Sequence, residues 1–309
     1  MIYVEDLVKK FEDFVAVDTV NMKVEKGEVL ALLGPNGAGK TTTVRMLTSV
    51  LKPTSGKAIV AGYDVETHPR EVRSSVGVLT ESHGLYHRMR AEDYLAFFGH
   101  LYGLNGNQLD GKISDMLDKF ALSQFAKRRV GEYSKGMRQK LALARSMLHD
   151  PEVLLLDEPT SAMDPESARL VRDMIKGLQT NDHTVLICTH NLAEAEELAD
   201  RIVIIREGKI IESGTSAELR EKLLGAPRFE IQFGKPVNGL SFPVLPGITD
   251  VEVHDDRAAY TCEDPVTANP ILVRQLIESG VEVVRVQEVV RSLERVYLEA
   301  VSNHGGSHG

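Results

Sequence analysis

Gly34-Pro35-Asn36-Gly37-Ala38-Gly39-Lys40-Thr41-Thr42 decides how the rest of the chain is read. It has the spacing G-x-x-x-x-G-K-[ST]. Before it, Glu28-Val29-Leu30-Ala31-Leu32-Leu33 is apolar enough for a buried strand, and after it Val44, Leu47 and Leu51 share one helical face. Strand, loop and helix in that order are what a phosphate-binding loop needs. Glycine lets the backbone wrap a phosphate chain at dihedrals other residues resist. The helix start adds unpaired amides and roughly half a positive charge. The implied ligand is a nucleoside triphosphate, with Lys40 reaching its terminal phosphates and the Thr41 hydroxyl helping to hold magnesium. A glycine-rich turn before a core helix is the bland alternative, and the flanking pattern weighs against it.

Downstream, Val153-Leu154-Leu155-Leu156-Asp157-Glu158-Pro159-Thr160 is an all-apolar strand ending in two carboxylates. In a parallel sheet such a strand delivers both acids to the carboxyl edge, where ligands sit in open α/β folds. Asp157 suits magnesium coordination, and Glu158 suits polarising a water for attack on the terminal phosphate. Ser161-Ala162-Met163-Asp164-Pro165 then turns into a helix. A third apolar strand, Thr184-Val185-Leu186-Ile187-Cys188, ends in Thr189-His190. A histidine there is either structural or a hydrogen-bond donor to the terminal phosphate. Val76-Gly77-Val78-Leu79 is a further buried strand, and Glu81 just after it is either a surface residue or a group approaching the nucleotide's metal.

Between these strands, residues 90–148 are helical in pattern with no strand signal, so they form an inserted helical lobe. Near its end, Tyr133-Ser134-Lys135-Gly136-Met137-Arg138-Gln139-Lys140 leads into a helix. Ser134 is a good N-cap, at a terminus that either binds an anion or, like most capped helices, binds nothing. The N-terminal stretch reads as short strands around residues 1–7 and 15–24. Between them Phe11 either stacks on a base or packs in a hairpin.

The chain has 309 residues and a net charge of -9, which suggests more than one domain and argues against a dedicated nucleic-acid binder. Cys188 and Cys262 give no disulfide framework, which suits a reducing compartment. No opening segment resembles a signal peptide. The apolar runs are strand length, far below the roughly 20 residues that span a bilayer.

Taken in order, the phosphate loop, the helical lobe ending in a serine-glycine element, the Asp-Glu strand, the Ser-Ala-x-Asp turn and the Thr-His strand end resemble the ATP-binding cassette of ABC transporters over residues 1–225. The resemblance implies a P-loop NTPase α/β fold: a RecA-like core, an N-terminal antiparallel β subdomain and a helical subdomain at about 85–148. It implies that Phe11 stacks on adenine, and that Gly34, Pro35, Asn36, Gly37, Ala38, Gly39, Lys40, Thr41 and Thr42 are the Walker A loop. Asp157 becomes the Walker B metal ligand, Glu158 the catalytic base, Asp164 a dimer contact and His190 the switch histidine. Cofactors are then ATP and Mg2+, the metal being held by Thr41 and Asp157 with Glu81. Two cassettes face head to tail, so Ser134 and Gly136 act in trans on the partner's ATP. The chain departs from the family at the signature, which reads Tyr133-Ser134-Lys135-Gly136-Met137 in place of LSGGQ, and at Glu81, where the family usually has glutamine.

Residues 226–301 change character, with alternating strands, a helix at 268–279 and a last helix from Ser292. This is a small α+β domain of unknown ligand, with a disordered tail at 302–309. The stretch Ser292-Leu293-Glu294-Arg295-Val296-Tyr297-Leu298-Glu299 resembles the C-terminal extension of the drug-resistance branch of ABC ATPases. That implies an exporter whose polytopic permease is a separate chain, a second cassette as homo- or heterodimer partner, and a place on the cytoplasmic face of the cell membrane. The alternatives are a soluble ABC ATPase acting on the ribosome or nucleic acid, and a regulatory cassette in which binding matters more than turnover.

Overall fold

The computed structural model describes residues 1–80, 84–161, 163–179, 183–237, 240–289 and 292–305. Two compact units divide the chain, Met1–Thr215 and Ser216–Gly309. No helix among the described residues is long and apolar enough to cross a membrane.

In the first unit β1 (Ile2–Phe11) and β2 (Phe14–Val24) form a hairpin, and β3 (Val29–Leu33) runs into the phosphate-loop sequence and α1 (Lys40–Leu47). Next come β4 (Ser55–Val60), β5 (Tyr63–Asp64), α2 (Pro69–Ser75) and β6 (Val76–Leu79). The helical insertion holds α3 (Ala91–Leu101), α4 (Gly106–Lys119) and α5 (Lys135–Met147). After it follow β7 (Val153–Asp157), α6 (Pro165–Gln179), β8 (Thr184–Thr189), α7 (Leu192–Leu198), β9 (Arg201–Arg206) and β10 (Lys209–Gly214). Strands β2-β1-β4-β5 make an antiparallel sheet. The second sheet has the order β10-β9-β3-β8-β7-β6 and is parallel apart from its β10 edge.

Strands β3, β7 and β8 are buried along their whole length because both faces of the parallel sheet are covered. Side chains alternate across a strand, so parity sorts the apolar run into two cores. Leu154, Leu156, Val185 and Ile187 pack with the helical lobe and α6. Val153, Leu155, Leu186 and Cys188 pack with α1 and the antiparallel sheet. Each fully buried aliphatic contributes about 1.5–3 kcal/mol before entropy is counted. Register places Leu33 opposite Thr189 and Asp157 opposite Cys188, so the carboxyl ends of β3, β8 and β7 lie side by side.

The second unit begins with α8 (Ser216–Leu224) and continues with β11 (Arg228–Phe233), β12 (Ile248–His254), β13 (Arg257–Cys262), α9 (Pro265–Glu278), β14 (Val283–Glu288) and α10 (Leu293–Gly305). Its sheet is antiparallel in the order β12-β13-β11-β14. Phe229, Ile231, Phe233, Tyr260 and Cys262 bury one face against Leu272 and Leu276 of α9. Two sequence-based boundaries change. Helix α8, expected to close the cassette at residue 225, packs on α10, so the division falls at Thr215/Ser216. The tail expected to be disordered from 302 is helical through Gly305, with Ser302 Oγ donating to Leu298 O at 2.8 Å. Residues 306–309 lie outside the described residues.

Candidate nucleotide site

A cavity of about 450 Å³ opens at the joined carboxyl ends of β3, β7 and β8. Every residue from Pro35 to Thr42 lines it, together with Asp157, Glu158, Ser161 and His190. The loop is pinned from below: Gly34 N donates to Thr189 O at 3.2 Å and Ala38 O accepts from Gly208 N at 3.0 Å. A Cβ at Gly34 would stand 2.3 Å from Ile205 O, and one at Gly39, whose φ is +104°, 2.5 Å from Ala16 O. Only glycine lets the backbone pass there.

Lys40 is 6% exposed. Its amine donates to Gly34 O at 2.6 Å and Pro35 O at 3.1 Å, and no carboxylate pairs with it among the described residues. A buried ammonium held only by neutral carbonyls favours an anion in the adjoining cavity. Thr41 Oγ1 donates to Asp157 Oδ2 at 2.8 Å, joining the first turn of α1 to the end of β7. A hydroxyl and one carboxylate are hard oxygen donors. They fit Mg2+, which takes one or two protein oxygens and completes its shell with phosphate and water.

Glu158 has φ +53°, in the left-handed region that costs a non-glycine residue about 1 kcal/mol. Its amide donates to Cys188 O at 2.8 Å. Its side chain is 13% exposed, and Oε1 accepts from His190 N at 3.0 Å and pairs with His190 Nδ1 at 2.7 Å. Those two contacts fix the carboxylate of a residue that lines the cavity. Glu194 of α7, 3% exposed, supports this edge: Oε1 accepts from Thr160 Oγ1 at 2.6 Å and Oε2 from Thr189 Oγ1 at 2.7 Å. Burial raises its carboxyl above the ordinary range, opposed by those two hydroxyls. The arrangement can hold a polyphosphate and a divalent cation and present a carboxylate to water.

Of the residues singled out in the sequence, Pro35 to Thr42 of the loop, Asp157, Glu158 and His190 meet in this cavity, while Gly34 does not line it. Ser134 and Gly136 do not line it. Ser134 caps α5, accepting from Met137 N at 3.2 Å, and a Cβ at Gly136 would be 3.9 Å from Asp164 Oδ2. Asp164 accepts from Ser167 N at 2.9 Å, which holds its carboxyl below the usual range. Phe11 stands at the hairpin tip in register with Phe14, and it is Phe14 that lines the cavity. Phe14 and Ala16 are lining residues that the motifs do not pick out, and Ser161 lines the cavity from the Ser-Ala-x-Asp turn, where the sequence gives it no role. For Phe14 the signal was the pair of aromatics flanking Glu12-Asp13. Glu81 lies outside the described residues.

Fold and cavity define a P-loop ATPase of the ATP-binding cassette type. The family described as "ABC transporter" matches residues 17–161, and that described as "ATP-binding protein DrrA1-3-like, C-terminal domain" matches residues 214–301. The chain is 40% identical over 246 residues to the ABC transporter ATP-binding protein NatA of Bacillus subtilis, covering 78% of this chain and all of that one. It is 35% identical over 300 residues to the daunorubicin resistance ATP-binding protein DrrA3 of Streptomyces coeruleorubidus, covering 96% and 94%. A solved ATP-binding subunit of an ABC transporter superposes with a TM-score of 0.68 at 27% identity, covering 73% of this chain and 94% of that one. The chain belongs to the ABC transporter ATP-binding proteins, in the group with a DrrA-like C-terminal domain. It is an ATPase subunit of the ABC transporter type, and its relatives support that reading over a soluble ABC ATPase acting on ribosome or nucleic acid.

Proposed function

We propose that two such cassettes close head to tail around ATP on the cytoplasmic face of the cell membrane and drive a separate polytopic permease, probed below by capture of that permease. Lys40 and the amides of the loop hold the β- and γ-phosphates, with the dipole of α1 behind them. Thr41 and Asp157 are the residues that would hold Mg2+, which when bound neutralises phosphate charge. Glu158 accepts a proton from the attacking water. His190 keeps that carboxylate in place and reaches the terminal phosphate as the reaction proceeds. The rings of Phe11 and Phe14 at the hairpin tip offer aromatic surface to the adenine.

The observation that carries this reading is the asymmetry of the site. One wall collects the loop, Asp157, Glu158 and His190, while Ser134 and Gly136 stand outside it. A capped helix terminus able to bind phosphate, but absent from its own chain's cavity, serves a cavity on another copy. Ser134 and Gly136 then replace water around the terminal phosphate of the partner's ATP, and Asp164 meets the facing cassette.

The test is capture from detergent-solubilised native membranes with Glu158→Gln, ATP and magnesium, a combination expected to hold the dimer closed. A polytopic membrane protein recovered in stoichiometric amount is the expected result. Ribosomal proteins or nucleic acid, with no membrane protein, would overturn the transport assignment.

A further inference from the structure

Gln139 sits in α5, five residues beyond Ser134, and is 4% exposed. Its Nε2 donates to two successive main-chain carbonyls, Glu158 O at 3.1 Å and Pro159 O at 3.0 Å. An amide NH2 has two hydrogens in one plane, so each carbonyl can take one. Those carbonyls belong to Glu158 and to Pro159 directly after it, and the φ of Glu158 is +53°. A non-glycine residue stays in that region only where its surroundings over-determine it. Here Cys188 O takes the Glu158 amide, His190 takes the carboxylate and Gln139 takes the carbonyls. The first two belong to β8 and its end. Gln139 alone among these three comes from the helical lobe.

We infer that Gln139 is a positioning residue that couples the seating of α5 to the geometry of the Glu158 carboxylate. Ser134 at the cap and Gln139 further along lie on one helix, roughly 7–8 Å apart along its axis at 1.5 Å per residue. A movement of the capped end is therefore carried to the amide. When α5 is seated, Nε2 holds both carbonyls and the left-handed turn at Glu158 is kept. When α5 shifts, both bonds lengthen together, the turn loses its support and the carboxylate leaves the line of attack. Hydrolysis is thereby permitted only with the helical lobe in one position. Displacement of a reacting group by about 1 Å costs up to a hundredfold in rate, so the clamp is a sensitive control. This inference rests on Glu158 being the base.

The experiment compares Gln139→Met, which keeps length and removes the donor, with Glu158→Gln and with the double variant in the full chain. Expected for Gln139→Met is a fall in kcat of about tenfold or more, with KM for ATP unchanged within about twofold. ATP-driven dimerisation of the Glu158→Gln chain, followed by sedimentation, should be unaffected by adding Gln139→Met. The residual rate of Glu158→Gln should fall no further in the double variant, because residues acting through one group are not additive. An unchanged rate in Gln139→Met, a multiplicative loss in the double variant, or loss of dimerisation parallel to loss of rate would each overturn the clamp. Should Gln139→Met fail to fold, Gln139→Asn keeps the donor on a shorter stem and is read by the same split, with a smaller fall in kcat expected and an unchanged one contradicting the inference. Full turnover in Glu158→Gln alone would remove the base assignment and the clamp with it. Loss there beside a normal Gln139→Met removes only the clamp.

Discussion

In the cassette unit the strands β3, β7 and β8 are buried on both faces, whereas the sheet of the C-terminal unit buries one face and leaves the other half-exposed. The two arrangements put polar groups to different use. A doubly covered parallel sheet has nowhere for polar side chains except its ends, so Asp157, Glu158, Thr189 and His190 are concentrated at one edge beside the loop. In the C-terminal unit polar residues spread across the open face. Arg228 pairs there with Glu252 at 2.6 Å and Arg257 with Glu230 at 3.1 Å. Such exposed pairs are worth about 0–1 kcal/mol each. Concentration makes a site, and dispersal makes a solvated surface.

The largest expected effect breaks the concentrated side. Lys40→Ala removes the buried ammonium and its charge-assisted bonds to phosphate, expected to cost about 3 kcal/mol, on the order of a hundredfold in ATP affinity. Equilibrium binding of a fluorescent ATP analogue measures it, and near-normal affinity would remove the loop from the site. Stability should change little, because among the described residues the Lys40 amine hydrogen-bonds only to Gly34 O and Pro35 O.

The matching change in the other unit should leave ATP affinity alone and act on stability. Leu272 of α9 is fully buried in the core cluster that also holds Phe229, Ile231 and Tyr260. Leu272→Ala is expected to cost about 3 kcal/mol through lost burial and a cavity. Denaturant unfolding should show the early loss of the C-terminal unit, with nucleotide binding preserved. A parallel loss of nucleotide affinity would mean that the two units do not divide their labour as their construction indicates.

The same contrast explains what the sequence made legible. The phosphate loop and the strand ends could be found because apolar runs are long, parity is strict and the motif requires glycine at Gly34 and Gly39. Phe14 is not picked out beside Phe11 because hairpin register, with its shifts along β1, decides which ring lines the cavity. Gln139 was invisible: a glutamine on a helix reads as surface, and its partners are carbonyls 19 and 20 residues away in sequence. Helix α8 reads as the end of the cassette because nothing in Ser216–Leu224 says where Leu219 is buried, whereas the contacts group it with the second unit. Pattern reveals that a face is apolar, and only tertiary contact reveals against what.

The smallest effect concerns His149, which lies just past α5 in the helical insertion, away from the concentrated edge. Its ring stacks on Tyr102 at 3.7 Å with an interplanar angle of 3°, and Nε2 faces Val76 O at 3.1 Å. Nδ1 is buried without a hydrogen-bond partner among the described residues. Burial pushes its pKa down to about 4. The hydrogen bond to Val76 O and the charge of Asp150 oppose that shift, and Lys112 assists it. The folded chain therefore keeps His149 neutral where the unfolded chain, with an ordinary histidine near 6.5, takes up a proton. Between those two values the unfolded state binds more protons, so this histidine's contribution falls as pH is lowered from about 6.5 toward about 4. Going from pH 7 to pH 5 it should cost the native state about 2 kcal/mol. His149→Phe keeps a ring for Tyr102 and removes the titration, so its melting temperature should fall less across that range, by about 4–8 °C for a unit of this size. An identical pH dependence in the two proteins would mean that the ring is protonated in the native state, with the stacked pair opening to water.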